Sequence, residues 1–339
     1  MQRIVLITAP ALAPAGEAIL ASGGCTPRYV SDYADTEGLR HILDTEPVEG
    51  IISRTMHLSA DLLSACPSLK VISKHGTGTS NIDVAAASRQ GIGVFSTPGA
   101  NARAVAEFSV GLMLAAARRI ARFDRSVRLG EWSRAGDGMQ LAGKTLGLVG
   151  YGRIARQVGD IARAMGMRIL ALDPVRPPTE TAGLTFCESL TDLLERSDVV
   201  SLHCPAVRGA APLIDERALS RMKQGSILVN TARGELIDEA ALVSMLDSGR
   251  LAAAALDTFA NEPLADGPLR RHPNVILTPH VGGSTPEALD EMAAQAARNV
   301  VAYLDAAATG NALPKEIADL CLNPAAALHA ERGRYGAVA

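Results

Sequence analysis

The chain has 339 residues, 47% of them hydrophobic, with a net charge of −3 and only 3% aromatics. That length is enough for two ordinary domains with sizeable cores. With no basic tract and few stacking rings, nucleic acid and acidic membrane surfaces are not expected as partners.

The N-terminal run, residues 3–8, reads as a first strand rather than a signal peptide. Further strands are expected at residues 50–53, 71–74 and 94–96, with helices of moderate length between them. A long apolar helix follows from about Asn101 to Arg122; Arg118, Arg119 and Arg122 suit the negative end of its dipole. It carries Glu107 and is too short in its apolar part to span a bilayer. A second strand–helix series begins at 145–149 and continues with strands at 168–172, 199–203, 226–230, 252–256 and 275–277. A final helix runs from Pro286 to about Ala307, long enough to pack back on the first series, and an Ala-rich tail from about Asn323 is expected to fray. Alternation of this kind is the pattern of α/β domains with parallel sheets.

The five cysteines, Cys25, Cys66, Cys187, Cys204 and Cys321, are odd in number and lack metal-ligand spacing. They read as thiols in a reducing compartment, and a cytoplasmic protein without a metal site is the expectation.

The segment 146–156 is a strand, a tight turn and a helix start in which Gly150, Gly152 and Ala155 fill the G-x-G-x-x-G/A pattern. The first glycine makes the turn, the second lets a pyrophosphate approach the backbone, and the small third residue lets helix and strand pack closely. Asp173 closes the next strand 23 residues beyond Gly150, where an acid can bind the adenosine ribose diol. This is a dinucleotide site, and the acid favours NAD over NADP, although Arg176 nearby is of the type that accepts a 2′-phosphate. Three polar residues, Arg233, Glu262 and His280, each follow an apolar strand-like run. They therefore fall at the carboxyl edge of a sheet, where α/β folds bind ligands. A guanidinium, a carboxylate and an imidazole gathered there suit an anionic substrate and a proton transfer.

These motifs, with residues 76–83 (GTGTSNID), 96–101 (STPGAN) and Val105-Ala106-Glu107, resemble the D-isomer-specific 2-hydroxyacid dehydrogenases over nearly the whole chain. The resemblance implies two doubly wound parallel-sheet domains. A flavodoxin-like substrate domain (1–100 and 286–320) would be split around a Rossmann NAD-binding domain (101–285), followed by a tail (321–339). It also implies a homodimer held largely by the long helix and the loop after Asn101.

For the chemistry, the resemblance implies that Arg233 clamps the substrate carboxylate, that His280 exchanges a proton with the substrate oxygen, and that Glu262 orients His280. NAD would be held by Gly150, Gly152, Arg153, Ile154, Asp173, Thr231, Ala232, Arg233, Asp257, His280 and Gly283. Thr77, His203, Cys204 and Pro205 match further cofactor-side positions. Asp257 would face the nicotinamide carboxamide, and His203 has an equally good structural reading. The substrate, a small 2-keto or 2-hydroxy acid, would meet Gly76, Thr77 and Gly78 through their N–H groups, together with Asn101, Arg233 and His280. Its R-group would meet Arg54, Lys74, His75 and Arg134. Arg54, Lys74 and Arg134 resemble the cations of phosphoglycerate dehydrogenases, whereas His75 departs from the small residue there. The resemblance implies first an NAD-dependent D-2-hydroxyacid dehydrogenase similar to the phosphoglycerate dehydrogenases; the alternatives are hydroxypyruvate or glyoxylate reduction, oxidation of another dianionic hydroxy acid such as sulfolactate, or an NAD(H)-sensing corepressor-like scaffold sharing the fold.

Overall fold

The computed structural model describes residues 3–175, 183–207 and 209–324. Arg176 and the tail beyond 324 lie outside them. The chain divides into two compact units. One comprises the residues up to Asn101 together with those from Thr285 on, and the other is Ala102–Ser284.

The first unit is a parallel sheet of five strands, β1 (Arg3–Ile7), β2 (Cys25–Tyr29), β3 (Val48–Ser53), β4 (Val71–Lys74) and β5 (Gly93–Phe95), in the order β2-β1-β3-β4-β5. Its strands other than β2 are apolar on both faces because helices cover both. Leu6, Ile51, Ile72 and Val94 pack on one side with Leu39, Leu43 and Leu63. Val5, Ile7, Ile52 and Phe95 pack on the other with Ala293, Ala297 and Val300 of the helix Pro286–Thr309. That helix lies close enough to the sheet for two glycines to be required. A Cβ on Gly50 would stand 2.8 Å from Val300, and one on Gly93 2.7 Å from Tyr303.

The second unit is a parallel sheet of seven strands: β6 (Thr145–Val149), β7 (Arg168–Leu172), β8 (Leu184–Phe186), β9 (Val199–Leu202), β10 (Ser226–Asn230), β11 (Leu251–Leu256) and β12 (Val275–Leu277). The order is β12-β11-β10-β9-β6-β7-β8, so the chain reverses its direction of progress across the sheet between β6 and β9. The crevice at such a reversal is where doubly wound sheets take their ligands. The helix Ala102–Ala117 covers one face, packing Val110 and Met113 among Leu146, Leu148, Val229 and Ala255.

Four expectations from sequence need correction. β2 and β8, both edge strands, were not anticipated. The long helix does not run to Arg122: it ends at Ala117 and a second helix occupies Ile120–Arg128. Arg119 between them has φ 56°, and its Nη1 donates to the carbonyl of Ala252 at 2.6 Å and to Asn274 Oδ1 at 3.1 Å. A tertiary bond thus outweighs the helical propensity of the run. Finally, Asn323 is not part of a fraying end. It is 9% exposed, its Oδ1 accepts from Val94 N–H, and its Nδ2 donates to Ser88 Oγ and the Ile92 carbonyl. This lashes the chain to the open edge of β5.

Candidate active site

In the second unit the turn after β6 carries the phosphate-loop geometry. Gly150 has φ 88°, and a Cβ there would stand 2.8 Å from the His203 backbone at the end of β9. Only glycine fits both constraints. Gly152 faces open space, with nothing within 4 Å of where its Cβ would be, and Ala155 is fully buried. The helix Arg153–Ala164 starts at Gly152 without a side-chain cap, so its first-turn N–H groups and dipole are disposed toward an anion. Asp173 braces this turn: its Oδ2 accepts from Tyr151 N–H at 2.6 Å and its Oδ1 from Val175 N–H at 2.8 Å. Each carboxylate oxygen has a second acceptor site, so two ribose hydroxyls can still be taken. These residues fit a dinucleotide.

His203 and Cys204 are partly buried and Pro205 is exposed. The His203 Nε2 lies 2.9 Å from Ser201 Oγ, and burial lowers the ring's pKa to about 4. It is a neutral group at the seam between β6 and β9. Ile154 and Gly283 are half-buried.

Glu262 and His280 meet. His280 Nδ1 is 2.9 Å from Glu262 Oε2 and 3.1 Å from Oε1, with both side chains accessible. This pairing leaves Nε2 of His280 for another partner and sets the imidazole plane. Glu262 is itself placed by its turn, since Oε1 also accepts from Phe259 N–H at 3.1 Å. The backbone of His280 is held at φ 54°, outside the range that most residues favour. Asp257 imposes it. This 2% exposed carboxylate accepts from Thr278 Oγ1 at 2.6 Å, Val281 N–H at 3.0 Å and Gly282 N–H at 2.8 Å. Asp257 therefore fastens the loop bearing His280, and its Oδ2, with one bond, keeps a second acceptor site.

Arg233 follows β10 in extended conformation, half-buried, with Nη1 donating to the Ala232 carbonyl at 2.6 Å. Its loop is built by buried Asn230, whose Nδ2 donates to the Arg233 carbonyl and whose Oδ1 accepts from Ala232 N–H. The next residue, Gly234, went unnoticed in the sequence as a site residue. A Cβ there would fall 1.8 Å from the Phe259 carbonyl carbon, so the Arg233 and Glu262 turns touch backbone to backbone. The Arg-Gly pair was the only signal for it.

In the first unit the residues after β4 form a second anion-disposed loop, with one correction. Gly76 N–H is already committed to Thr97 Oγ1 at 2.9 Å, and the Gly76 carbonyl accepts from Thr97 N–H. Gly76 has φ 132°, and the N–H groups of Thr77 and Gly78 bond to no protein acceptor among the described residues. Two donors remain, therefore, rather than three. Lys74 is not a cation offered to a ligand: its Nζ donates to the Arg54 carbonyl and, at 2.9 Å, to Asn81 Oδ1, tying β4 to the segment after β3. Arg54 lies 6.0 Å over the Tyr33 ring. His75 is 6% exposed with no hydrogen-bond partner at Nε2; burial, with Arg54 and Lys74 adding repulsion, lowers its pKa to about 3. Asn101 is half-buried at the end of this unit, whereas Arg134 belongs to the second unit and is exposed. The expected cluster of three cations is thus not assembled in the first unit.

Among the described residues no helix is long and apolar enough to cross a membrane, and no group of His, Cys, Asp and Glu is placed to hold a metal.

A nucleotide loop, a carboxylate-paired imidazole and a guanidinium at the strand ends of one doubly wound sheet define a nicotinamide-dependent oxidoreductase site. Residues 110–282 match the family model described as D-isomer specific 2-hydroxyacid dehydrogenase, NAD binding domain. A hydroxypyruvate reductase of Thermotoga maritima is 42% identical over 262 residues, covering 76% of this chain and 85% of the relative. A D-3-phosphoglycerate dehydrogenase of Mycobacterium tuberculosis is 42% identical over 245 residues, 72% of this chain but 46% of the relative. The crystal structure of a glyoxylate reductase from Paecilomyes thermophila superposes with a TM-score of 0.78 at 34% identity, over 90% of this chain and 95% of that one. The chain belongs to the D-isomer-specific 2-hydroxyacid dehydrogenases and is an NAD-binding enzyme of that family.

Proposed function

We propose that the protein reduces a small 2-keto acid, hydroxypyruvate or glyoxylate, to the D-2-hydroxy acid with NADH. The observation that carries the choice of substrate is Lys74: its ammonium is engaged with Arg54 and Asn81, so the first unit offers one cation, Arg54, to an R-group. One guanidinium can fork a phosphate, but it supplies less charge than a cluster of cations would. The relatives covered over most of their length point the same way, since one is a hydroxypyruvate reductase. Arg54 itself favours a second reading, oxidation of 3-phosphoglycerate, because it stays half-exposed at the sheet edge and can pair with one anionic oxygen.

In this reading NAD(H) supplies and accepts the hydride. Gly150, Gly152 and the helix after them bind its pyrophosphate, and Asp173 its adenosine ribose. His280 gives its proton to the substrate oxygen through Nε2, and Glu262 holds Nδ1 and stabilises the charged ring. Arg233 turns from the Ala232 carbonyl to fork the substrate carboxylate. The protein works as a homodimer: Ile120, Val127, Leu129 and Trp132, all exposed, are the surface a second copy covers. Its free thiols suit the reducing cytoplasm.

The test is NADH oxidation with glyoxylate, hydroxypyruvate and phosphohydroxypyruvate. The reading expects the two unphosphorylated acids to have the higher kcat/KM, and Arg54→Ala to change them little. A strong preference for the phosphorylated acid, abolished by Arg54→Ala, would replace it with the second reading.

A further inference from the structure

Ser109 sits in the helix Ala102–Ala117, is 1% exposed, and lies outside every set of residues discussed so far as touching a ligand. Its Oγ donates to the Val105 carbonyl, one turn back, at 2.7 Å. Its Oγ also stands 2.7 Å from Oγ1 of Thr231, the residue after β10. A serine hydroxyl has one hydrogen, and a carbonyl can only accept. The proton between the two hydroxyls must then come from Thr231. Thr231 also has only one, so what its hydroxyl offers elsewhere is lone pairs alone. A local arrangement that in most helices has no wider consequence here fixes the polarity of a site loop.

An acceptor-only hydroxyl cannot bond to a carboxylate or a keto oxygen. It needs an N–H or O–H donor. Register pairs Asn230 with Leu256, which sets Thr231 beside Asp257 at the sheet edge. Asp257 is 2% exposed and already accepts three hydrogen bonds. Half-buried Thr231 adds an acceptor beside the one site left on Asp257 Oδ2, and a primary amide has two N–H groups to place. Of the donors NADH carries, the adenine amine and adenosine ribose go with Asp173 at the end of β7, which leaves the nicotinamide end, with its amide N–H, for the edge of β10 and β11.

We propose that Ser109 is a positioning residue that locks the Thr231 hydroxyl as an acceptor for the nicotinamide amide N–H. The proposal rests on the cofactor reading above. It explains why a polar residue is kept on the buried face of an otherwise apolar helix.

The test is fluorescence titration of wild type, Ser109→Ala, Thr231→Val and the double variant with two dinucleotides. One is NADH. The other is reduced 3-acetylpyridine adenine dinucleotide, in which a methyl replaces the amide nitrogen. Ser109→Ala should weaken NADH by about three- to tenfold, the range of one net hydrogen bond, and leave the analogue within about twofold. In the Thr231→Val background Ser109→Ala should have no further effect on NADH. Equal weakening of both dinucleotides would show a merely structural role and overturn the proposal, as would an undiminished affinity for NADH in Ser109→Ala. If wild type failed to bind NADH while binding another ligand at the Gly150 loop, the cofactor reading itself would fall, and the proposal with it.

Discussion

Gly234→Ala makes the sharpest demand on the site. The added Cβ would lie 1.8 Å from the carbonyl carbon of Phe259, 2.2 Å from its oxygen and 2.3 Å from Ala260 N. All three are backbone atoms, so no rotamer change relieves the clash. Ordinary contact begins near 3.4 Å, and the two turns must part by roughly 1.5 Å to reach it. One turn carries Arg233. The other carries Glu262, which is tied to Phe259 N–H and to His280. A displacement of about 1 Å in groups that orient a reaction costs on the order of 10²-fold, so kcat/KM for hydroxypyruvate should fall about a hundredfold. Overpacking should also lower stability by about 1–3 kcal/mol. The phosphate loop lies at a different strand end, so NADH should weaken by no more than the roughly tenfold of one hydrogen bond at Thr231, far less than kcat/KM. The assay pairs steady-state kinetics at saturating NADH with an NADH titration and a thermal melt on the same sample. A folded variant with wild-type kcat/KM would refute the claim that contact between these turns sets the catalytic geometry.

Arg233→Lys should lower kcat/KM by about ten- to hundredfold, mostly through KM, because an ammonium cannot replace a planar fork; rescue by lysine in steady-state assays would count against the clamp. Asp173→Asn should narrow the ratio of NADPH to NADH dissociation constants measured by titration, and an unchanged ratio would remove Asp173 from cofactor choice. Stability should also depend on pH through His75, whose folded pKa is about 3 against an ordinary 6.5. The unfolded chain binds the proton first, so this contribution is complete above about pH 6.5 and is lost as pH falls toward 3. Urea midpoints of His75→Gln should therefore fall less steeply than wild type between pH 6.5 and 4; parallel curves would show that His75 is not buried in its neutral form.

The strand ends that carry Arg233, Glu262 and His280 were legible because each follows a continuous apolar run, and a run buried on both faces announces a parallel strand. The glycine loop was legible because its three small residues answer steric needs that recur wherever a strand turns into a phosphate-binding helix. β2 was hidden by Pro27 and Arg28, tolerable only because it is an edge strand. The break at Arg119 was hidden because its cause, the Ala252 carbonyl, lies 133 positions away. The same holds for the site's fine structure. Thr97 occupying the Gly76 amide, Asn81 and the Arg54 carbonyl occupying Lys74, and Asp257 fastening the His280 loop are all pairings between loops. Composition and periodicity carry no signal for such pairings. They bear on the chemistry, since Lys74 also acts as a strut between loops and Asp257 also tethers the loop of His280.

The central claim is that His280, held by Glu262, moves the proton that accompanies hydride transfer. The most direct measurement compares wild type with His280→Ala for hydroxypyruvate-dependent NADH oxidation, with NADH affinity measured separately. With His280 as the proton donor, kcat should fall by about 10²–10⁴ while NADH binds almost as before. Turnover near that of wild type in the variant would contradict it.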